Sequence, residues 1–584
     1  MEQPPAAVLK IVGTIDTLSE WSGRIFCWLV IPLVLGLTYE VISRYAFDAP
    51  TAWAYDVGYM LYGGHFMLGA AYTLLHKGHI RTDFFYEHWS TRRQGWVDAC
   101  CYLFLFFPGL FFFLGYAGGG GAAPPARRLG VPQERVGGQD GQAAMTGGEF
   151  LGLILLACLL AGIFVGFPIA FTLLILALVF GYIGFGGIVF DLMVFQALGM
   201  MKEETLAAVP LFIFMGHVLE QAGLMERLFK SFQFILAPVR GSLYLGVLMT
   251  ATIFATATGI IGASVTVMGL MAAPVMIKAG YDTKLSAGAI AAGGTLGILI
   301  PPSVMLVVMG PVLGVSVIHL FAAAIVPGIL LSGLYIGYVM VRSFINPALG
   351  PPLALEDRAT SYWQIITEFV SGIIPLGAII FAALGSIIFG LATPTEAAAM
   401  GAFGAAVLTA CYGRLSGEVV RRACFSTLQT SSMVLFLAVG SNVYGSVFTR
   451  LGTGTWLANT MLGLPVPPLG MLAVLMVVIF LLGWPLEWPA IILIFLPIFL
   501  PVVQALKFDL VWFGTLVAVN LQTAFLSPPV AMAAYYLKSV APKWELRDIY
   551  RGMFDFMVLQ VIGLALLFFF PQVALWLPGV LFGK

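Results

Sequence analysis

Long apolar runs follow one another along almost the whole chain of 584 residues, and a few of them are broken by glycine, proline and hydroxyl residues. Runs of about 20 apolar residues are long enough to cross the hydrocarbon core of a bilayer. The pattern therefore predicts an all-α polytopic membrane protein. Three spans are expected at about 24–43, 54–75 and 95–117, and about eleven further spans or half-spans follow residue 149.

Composition supports this fold class. The chain is 60% hydrophobic and only 10% charged, whereas soluble domains carry about 25% charged residues. The formal net charge is zero, so no nucleic-acid partner is indicated.

Six cysteines lie in or beside apolar runs without CxxC spacing, which favours buried small hydrophobes over metal or disulfide roles. The first run lacks a small-residue cleavage site and reads as a retained helix.

Charge and composition also predict orientation and domain boundaries. The loop 76–93 contains Lys77, Arg81, Arg92 and Arg93, so the positive-inside rule places it and the N-terminus in the cytoplasm. Residues 118–148 are rich in glycine, proline and arginine and predict a linker. The boundary then separates residues 1–117 from residues 149–584. A polar loop at 350–364 divides the larger part into repeats of about 149–349 and 365–584.

The two repeats share an unusual order of interruptions. GGTLGILIPPS (293–303) corresponds to LQTAFLSPPV (521–530), and the interrupted segment 254–276 corresponds to 481–503, which suits re-entrant hairpins. Proline removes a backbone donor, and glycine allows close backbone approach. At membrane depth, broken backbone persists only where protein buries it or where it lines a watery cavity. Paired interruptions in two halves therefore indicate a transporter's binding site, with inverted repeats if each unit has an odd number of crossings.

Freed carbonyls and hydroxyls at such breaks suit Na⁺, and half-helix N-termini suit anionic groups. Pro485 and Pro528 mark the breaks of the second half. The alternative is that the small and hydroxyl residues only let helices pack closely. We assign to substrate binding Thr258, Ser264, Ser303, Arg450, Glu487 and Ser527, and to ion binding Gly259, Gly262, Thr266, Gly294, Thr295, Gly297, Gly483, Gln522 and Thr523.

Three charged residues stand in apolar surroundings, where charges are costly and usually functional. Glu396 follows a Thr-Pro-Thr break and is a further functional candidate; its alternative is a helix cap or packing role. Arg450 offers the bidentate fork that a carboxylate accepts, although it could instead anchor a helix end at the interface. Glu487 lies inside the second predicted hairpin and is favoured as functional.

The sequence shows no catalytic signature. The six histidines lack HExxH or other ligand spacing, and Walker A, hydrolase and kinase motifs are missing. An intramembrane enzyme is therefore disfavoured, and transport energy has to come from an ion gradient or a partner protein.

At this point the motifs match a family. Residues 149–584 resemble the large membrane subunit of TRAP (tripartite ATP-independent periplasmic) transporters, through PLFIFMGHVLEQAG, MIKAGYD, GTLGILIPPS, TPTEAAA and LQTAFLSPPV followed by YYLKSVAP. Residues 1–117 resemble the small subunit, through RYAFDAPTAWAYDVGYMLYGG and the residues after it. The chain thus resembles a fusion of both subunits.

The resemblance implies an elevator-type secondary transporter in the lipid of the bacterial inner membrane. It implies Na⁺ as coupling ion, no cofactor, and a periplasmic substrate-binding protein that delivers an organic acid. The substrate class would be a 2-oxo or 2-hydroxy monocarboxylate or a C4-dicarboxylate. The alternative within transport is a stand-alone elevator carrier or exchanger that needs no binding protein.

The chain departs from the family pattern in three places. The usual Gly-Ser-Ser of the first hairpin reads Gly259-Ile260-Ile261, and the common Asp of the second hairpin is Glu487. The small subunit should have four helices, whereas three precede the linker. Residues 118–148 have the character of an out-of-frame stretch that replaces the fourth helix; resequencing that finds no compensating insertions or deletions would reject this hypothesis.

Overall fold

The computed structural model describes residues 6–81, 86, 89–100, 146–259, 261–354, 356, 358, 361–528 and 531–583. These residues form helices joined by short turns, and no β-strand occurs among them. Most of the predicted linker 118–148 and most of the third predicted span lie outside the described residues. The all-α fold class is confirmed.

The N-terminal part contains four described helices. A 3-10 turn at Cys27–Leu29 connects the first two, which together form a continuous apolar helix of 39 residues, Leu9–Phe47. The first and second helices both pack against the third. The four helices are α1 (Ala6–Phe26), α2 (Val30–Phe47), α3 (Ala54–Leu75) and α4 (Thr91–Cys100).

Twenty further helices are described after residue 146. Those of the first repeat are α5 (Gly147–Val165), α6 (Ile169–Phe185), α7 (Ile188–Met201), α8 (Ala208–Gln221), α9 (Leu224–Leu236), α10 (Ser242–Thr258), α11 (Ile261–Lys278), α12 (Thr283–Thr295), α13 (Val304–Leu313) and α14 (Val317–Ile345). Those of the second are α15 (Tyr362–Ile388), α16 (Pro394–Cys411), α17 (Gly417–Arg450), α18 (Thr453–Leu462), α19 (Pro468–Leu482), α20 (Trp488–Ala505), α21 (Leu510–Leu526), α22 (Met532–Val540), α23 (Leu546–Phe569) and α24 (Gln572–Phe582).

Eight helices of the described residues are long and apolar enough to cross a membrane, and a bent pair at Glu204–Gln221 and Leu224–Leu236 makes a ninth if it is one span. Helix starts follow local capping chemistry. Asp282 accepts from the backbone N–H of Leu285 at 2.8 Å, and Asp509 does the same for Val511 at 2.8 Å. Such caps satisfy donors that lipid cannot.

The chain forms two compact units. The first comprises residues 1–78, 201–436 and 466–584. At its centre α12 packs against α23, α10 and α11, and every residue of α12 from Leu285 to Thr295 is buried. A helix buried on all sides in this way belongs to a protein core rather than a lipid-facing surface.

The second unit comprises residues 79–200 and 437–465. There α5 packs against α6 and α18. Thr146 and Glu149 form a capping box at the start of α5, with the Thr146 backbone N–H 2.7 Å from the Glu149 carboxylate. Gly440 of α17 lies against the carbonyl of Ala170, where a Cβ atom would approach to 2.8 Å. This close helix contact requires glycine.

Candidate functional site

The first predicted hairpin consists of α10 and α11, which pack against each other around a turn at Gly259. Gly259 has φ +61°, a left-handed conformation that favours glycine. A Cβ built there would lie 3.5 Å from the Val304 amide nitrogen and 3.9 Å from the Pro302 carbonyl oxygen. The turn of the hairpin therefore lies directly on the Pro-Pro-Ser break. Ile260 and the Thr258 side chain are outside the described part.

The break itself interrupts a buried helix. The helix α12 ends at Thr295, a 3-10 turn covers Leu296–Ile298, and α13 starts after Ser303. The Pro301–Pro302 peptide bond is cis. Ser303 is fully buried; its hydroxyl donates to the Ile298 carbonyl and accepts from the Leu306 backbone N–H at 3.5 Å. Ser303 thus caps α13 and ties the two sides of the break together.

The second half repeats this order. The helix α19 ends at Leu482, residues 483–487 form a break, and α20 begins at Trp488 and contains a π-helical segment at Ile491–Phe495. A Cβ at Gly483 would come within 2.6 Å of the Ala524 Cβ on α21. The helix α21 ends before Ser527, which is buried, and α22 resumes at Met532. Pro529 and Val530 are among the residues that the structure leaves undescribed.

A buried amide joins the two broken helices. The Gln522 side chain on α21 donates to the Thr295 carbonyl at 3.0 Å, at the residue where α12 ends. The Gln560 side chain on α23 donates to the Thr295 hydroxyl at 3.4 Å. Both glutamines are fully buried; the Gln522 side-chain oxygen has no hydrogen-bond partner among the described residues, and the Gln560 side chain also faces the buried Tyr335 hydroxyl. A buried acceptor such as the Gln522 oxygen is a ligand available to a hard cation.

Gln560 was not predicted from sequence. It is one glutamine in an apolar terminal helix, and an unexplained polar residue in such a span was the available signal.

Tyr536 is a second residue that the sequence did not reveal. The helix α22 packs against α11, and the Tyr536 ring covers Gly262, where a Cβ would lie 3.2 Å from the ring carbon Cζ. The phenol also interacts electrostatically with the half-buried Glu487. Tyr536 therefore links the first hairpin to the break of the second.

The remaining predicted residues of the hairpins and breaks have local roles. The Thr523 hydroxyl donates to the Asn520 carbonyl at 2.6 Å, and the Ser527 hydroxyl donates to the Ala524 carbonyl at 3.4 Å. Gly294 faces α11, where a Cβ would meet Val265 Cγ2 at 2.4 Å. Ser264 is buried and Thr266 half-buried on α11, while Gly297 lies in the 3-10 turn.

Glu396 has its own set of polar contacts, and none of them is with a residue of the predicted hairpins. Glu396 is fully buried and forms a capping box with Thr393, accepting from the Thr393 backbone N–H at 2.8 Å. Its carboxylate also accepts from the Tyr55 hydroxyl at 2.9 Å and lies 3.5 Å from Arg44. The capping role weighed for Glu396 is therefore present, with added contacts to α2 and α3.

Arg450 is the last residue of α17; it is exposed and belongs to the second compact unit. Its predicted carboxylate-binding role stays a prediction. Among the described residues, no group of three or more His, Cys, Asp or Glu side chains could hold a metal ion.

Helices interrupted at matching positions in the two halves, with a helical hairpin against the first break, are the arrangement of a membrane transporter of the broken-helix type. The family comparison specifies the class further. Residues 33–129 match the DctQ component and residues 156–573 match the DctM component of the tripartite ATP-independent periplasmic transporters. The chain belongs to the TRAP transporter family and carries the small and large membrane components in one polypeptide. It is a transporter permease and not an enzyme.

Two curated relatives cover most of the chain. The sialic acid TRAP transporter large permease protein SiaM of Vibrio cholerae serotype O1 is 31% identical over 424 residues, which are 72% of this chain and 97% of SiaM. The 2,3-diketo-L-gulonate TRAP transporter large permease protein YiaN of Escherichia coli K12 is 29% identical over 424 residues, again 72% of this chain and 97% of the relative.

A solved structure shares the fold. The crystal structure of the Alcanivorax borkumensis YdaH transporter superposes with a TM-score of 0.52 at 16% sequence identity, covering 73% of this chain and 98% of that one. At this identity the likeness concerns the fold alone.

Proposed function

We propose that this chain imports a small organic acid across the bacterial inner membrane together with Na⁺, and that a periplasmic substrate-binding protein delivers the acid. The observation that supports this most directly is the hydrogen bond from Gln522 to Thr295, which joins the break of one repeat to the break of the other. Each break is covered by a hairpin glycine, Gly259 in the first half and Gly483 in the second.

The first hairpin offers an environment for a carboxylate. The helices α11 and α13 both begin beside Gly259, because the Gly259 turn precedes α11 and contacts the Val304 amide. Helix N-termini carry unpaired N–H groups and partial positive charge, which favour an anion. A substrate carboxylate placed at these two starts would need no cationic side chain.

The second hairpin offers complementary chemistry. Glu487 immediately precedes α20 and already supplies negative charge there. A second anionic group would be repelled, whereas a hydroxyl group of the substrate could donate a hydrogen bond to the carboxylate. This asymmetry favours a 2-hydroxy or 2-oxo monocarboxylate over a C4-dicarboxylate, and Tyr536 could donate its phenolic hydrogen to a 2-oxo group.

The relatives agree with an acid as substrate. SiaM is named for sialic acid and YiaN for 2,3-diketo-L-gulonate, and both compounds are carboxylic acids with an oxygen substituent beside the carboxylate. We transfer to this chain only the shared chemistry, a carboxylate with an adjacent oxo or hydroxyl group.

Na⁺ coupling is proposed from the oxygen atoms at the breaks. The 3-10 turn after Thr295 and the irregular segment to Ser303 free backbone carbonyls, and Gln522 keeps a side-chain oxygen that has no partner among the described residues. Oxygen ligands of this type replace the hydration shell of a hard cation. In the elevator mechanism that we propose, hairpins and breaks would move together across the bilayer relative to a fixed scaffold.

The test is uptake by the purified full chain in proteoliposomes, with a panel of radiolabelled 2-oxo, 2-hydroxy and C4-dicarboxylic acids. We expect accumulation only with an inward Na⁺ gradient and the cognate binding protein; vesicles with equal Na⁺ on both sides and an unrelated binding protein are the controls. Accumulation without any binding protein would favour the stand-alone carrier. Failure of every acid to accumulate in folded protein would contradict the proposal.

A further inference from the structure

A cavity of about 750 Å³ opens on the first compact unit, and its lining includes none of the residues at the breaks described above. One wall comes from the N-terminal helices, through Arg24 on α1 and Tyr72 on α3. The rest of the lining comes from the end of α8, through Glu220, and from the start of α17, through Arg421 and Arg422. Its size falls within the range of small-molecule sites, about 300–1,000 Å³.

The cavity reaches the first hairpin. Ala263 on α11 forms part of its lining and follows Gly262, the residue whose surface is covered by Tyr536. The cavity therefore connects the charged surface at the start of α17 with the helix that begins at the Gly259 turn.

Cations dominate the wall formed by α17. Arg421 and Arg422 share one carboxylate, that of Glu418, at 2.9 Å and 2.8 Å. Their side chains are 57% and 67% exposed, so these ion pairs are individually weak. Two guanidinium groups against one carboxylate leave a formal positive charge, and either group can exchange its partner for a carboxylate that enters the cavity.

On the lining from α1, one cation and one carboxylate pair with each other. Arg24 pairs with Glu20 at 3.2 Å, and Glu20 also contacts His76 at 3.0 Å. On α8, His217 lies 3.5 Å from Glu220. With neutral histidines, Glu220 leaves one negative charge on α8, so the three arginines and the three glutamates of this region sum to zero and the positive charge is local to Arg421 and Arg422.

We propose that this cavity is a second carboxylate site, a transit site beside the first hairpin, in which Arg421 and Arg422 bind the anion and the N-terminal helices form one wall. The identity of that carboxylate as the transported acid rests on the proposed function. The N-terminal component would then contribute directly to the path of the substrate. The site lies at the ends of α1 and α3, and α3 ends just before the start of the loop that is predicted to be cytoplasmic.

The test uses thiol labelling, which does not depend on transport. Ala263→Cys is introduced into the full chain with its native cysteines replaced by serine or alanine. The reporter is modified with an anionic (sulfonatoethyl) and a cationic (trimethylammonioethyl) methanethiosulfonate. We expect the ratio of anionic to cationic rates to fall about tenfold when Arg421→Gln and Arg422→Gln are combined, because local positive charge concentrates anions. Glu418→Gln should raise the ratio.

Arg342→Gln is the matched control, since Arg342 is 46% exposed on α14 and does not line the cavity; the ratio should stay unchanged. Ser426→Cys, also in the lining, is a second reporter if Ala263→Cys fails to fold. A ratio that is insensitive to both arginines, or a thiol that neither reagent reaches, would overturn the proposal. If labelling depends on the two arginines in a chain that transports no acid, the anion site would still be supported. Only the conclusion that its ligand is the transported acid would be rejected.

Discussion

Gln522 is one side chain that joins two halves of the chain. Its amide donates to a main-chain carbonyl at the end of α12, and it is fully buried. In Gln522→Leu the Thr295 carbonyl loses its donor, at a cost of about 1–3 kcal/mol. We expect a lower melting temperature in detergent and, if the break holds Na⁺, an apparent Na⁺ affinity about tenfold weaker, which corresponds to about 1.4 kcal/mol.

Gln560→Leu is the comparison for Gln522, because its bond is longer, 3.4 Å, and ends on a side-chain hydroxyl. Its effects on stability and on Na⁺ dependence should be smaller. Equal effects of the two variants would mean that the bond to the Thr295 carbonyl has no special role.

Glu487 is the charged residue on which transport is expected to depend. It lies at the break between α19 and α20 and interacts with Tyr536. Glu487→Gln removes the charge while keeping the shape, so uptake should be abolished with expression and melting temperature intact. Glu487→Asp, which restores the acid common in the family, should retain part of the uptake. Uptake at the wild-type level in Glu487→Gln would show that Glu487 is not a residue of the transport site.

At the scale of helices, glycine determines how closely α12 approaches α11. A Cβ on Gly294 would lie 2.4 Å from Val265 Cγ2 and 3.1 Å from the Val265 amide nitrogen. Gly294→Ala should therefore push the two helices apart and lower stability by about 1–3 kcal/mol, as overpacking does. Gly337→Ala on α14 is the control, since nothing lies within 4 Å of the added Cβ. There the higher helix propensity of alanine should stabilise slightly. Thermal unfolding of both variants in detergent measures the contrast.

The contact of α2 and α3 with α16 depends on charge at Glu396. The Tyr55 hydroxyl donates to its carboxylate at 2.9 Å, and Arg44 lies 3.5 Å away. Glu396→Gln keeps the capping box, which glutamine also forms, but removes the charge. In a double-mutant cycle with Tyr55→Phe we expect a coupling free energy of about 1–2 kcal/mol in thermal unfolding. Tyr39→Phe on the exposed face of α2 should show none.

The sequence predicted those elements whose signals are local. Local sequence was enough to predict the turn at Gly259, the Pro-Pro-Ser break and the Ser-Pro break, because glycine and proline alter the backbone wherever they occur. Gln560 and Tyr536 could not be found in the same way, because their importance comes from residues distant in sequence, Thr295 and Gly262. The neighbours of Glu396 on α2 and α3 are likewise tertiary contacts that no local pattern encodes.

At the scale of the whole molecule, the fusion places two components of one transporter in a fixed ratio. The N-terminal helices pack on the DctM-like part through α2 and α16, and they also line the cavity at Ala263. A component with both contacts therefore packs on the permease and forms part of its accessible surface. The DctQ match continues past residue 117, into residues that the sequence predicted as linker.

The orientation of the chain is the remaining prediction at this scale. Ala52 lies between α2 and α3 and is exposed; Arg92 is exposed on α4, within the basic loop predicted to be cytoplasmic. In a cysteine-free background, Ala52→Cys should react with a membrane-impermeant maleimide on intact spheroplasts, whereas Arg92→Cys should react only after permeabilisation. The two positions are matched in exposure, so a difference reports the side of the membrane. The reverse pattern would place the N-terminus outside and would turn the Arg421–Arg422 cavity into an entry site, because α1 and α3 reach that cavity from the side of the loop.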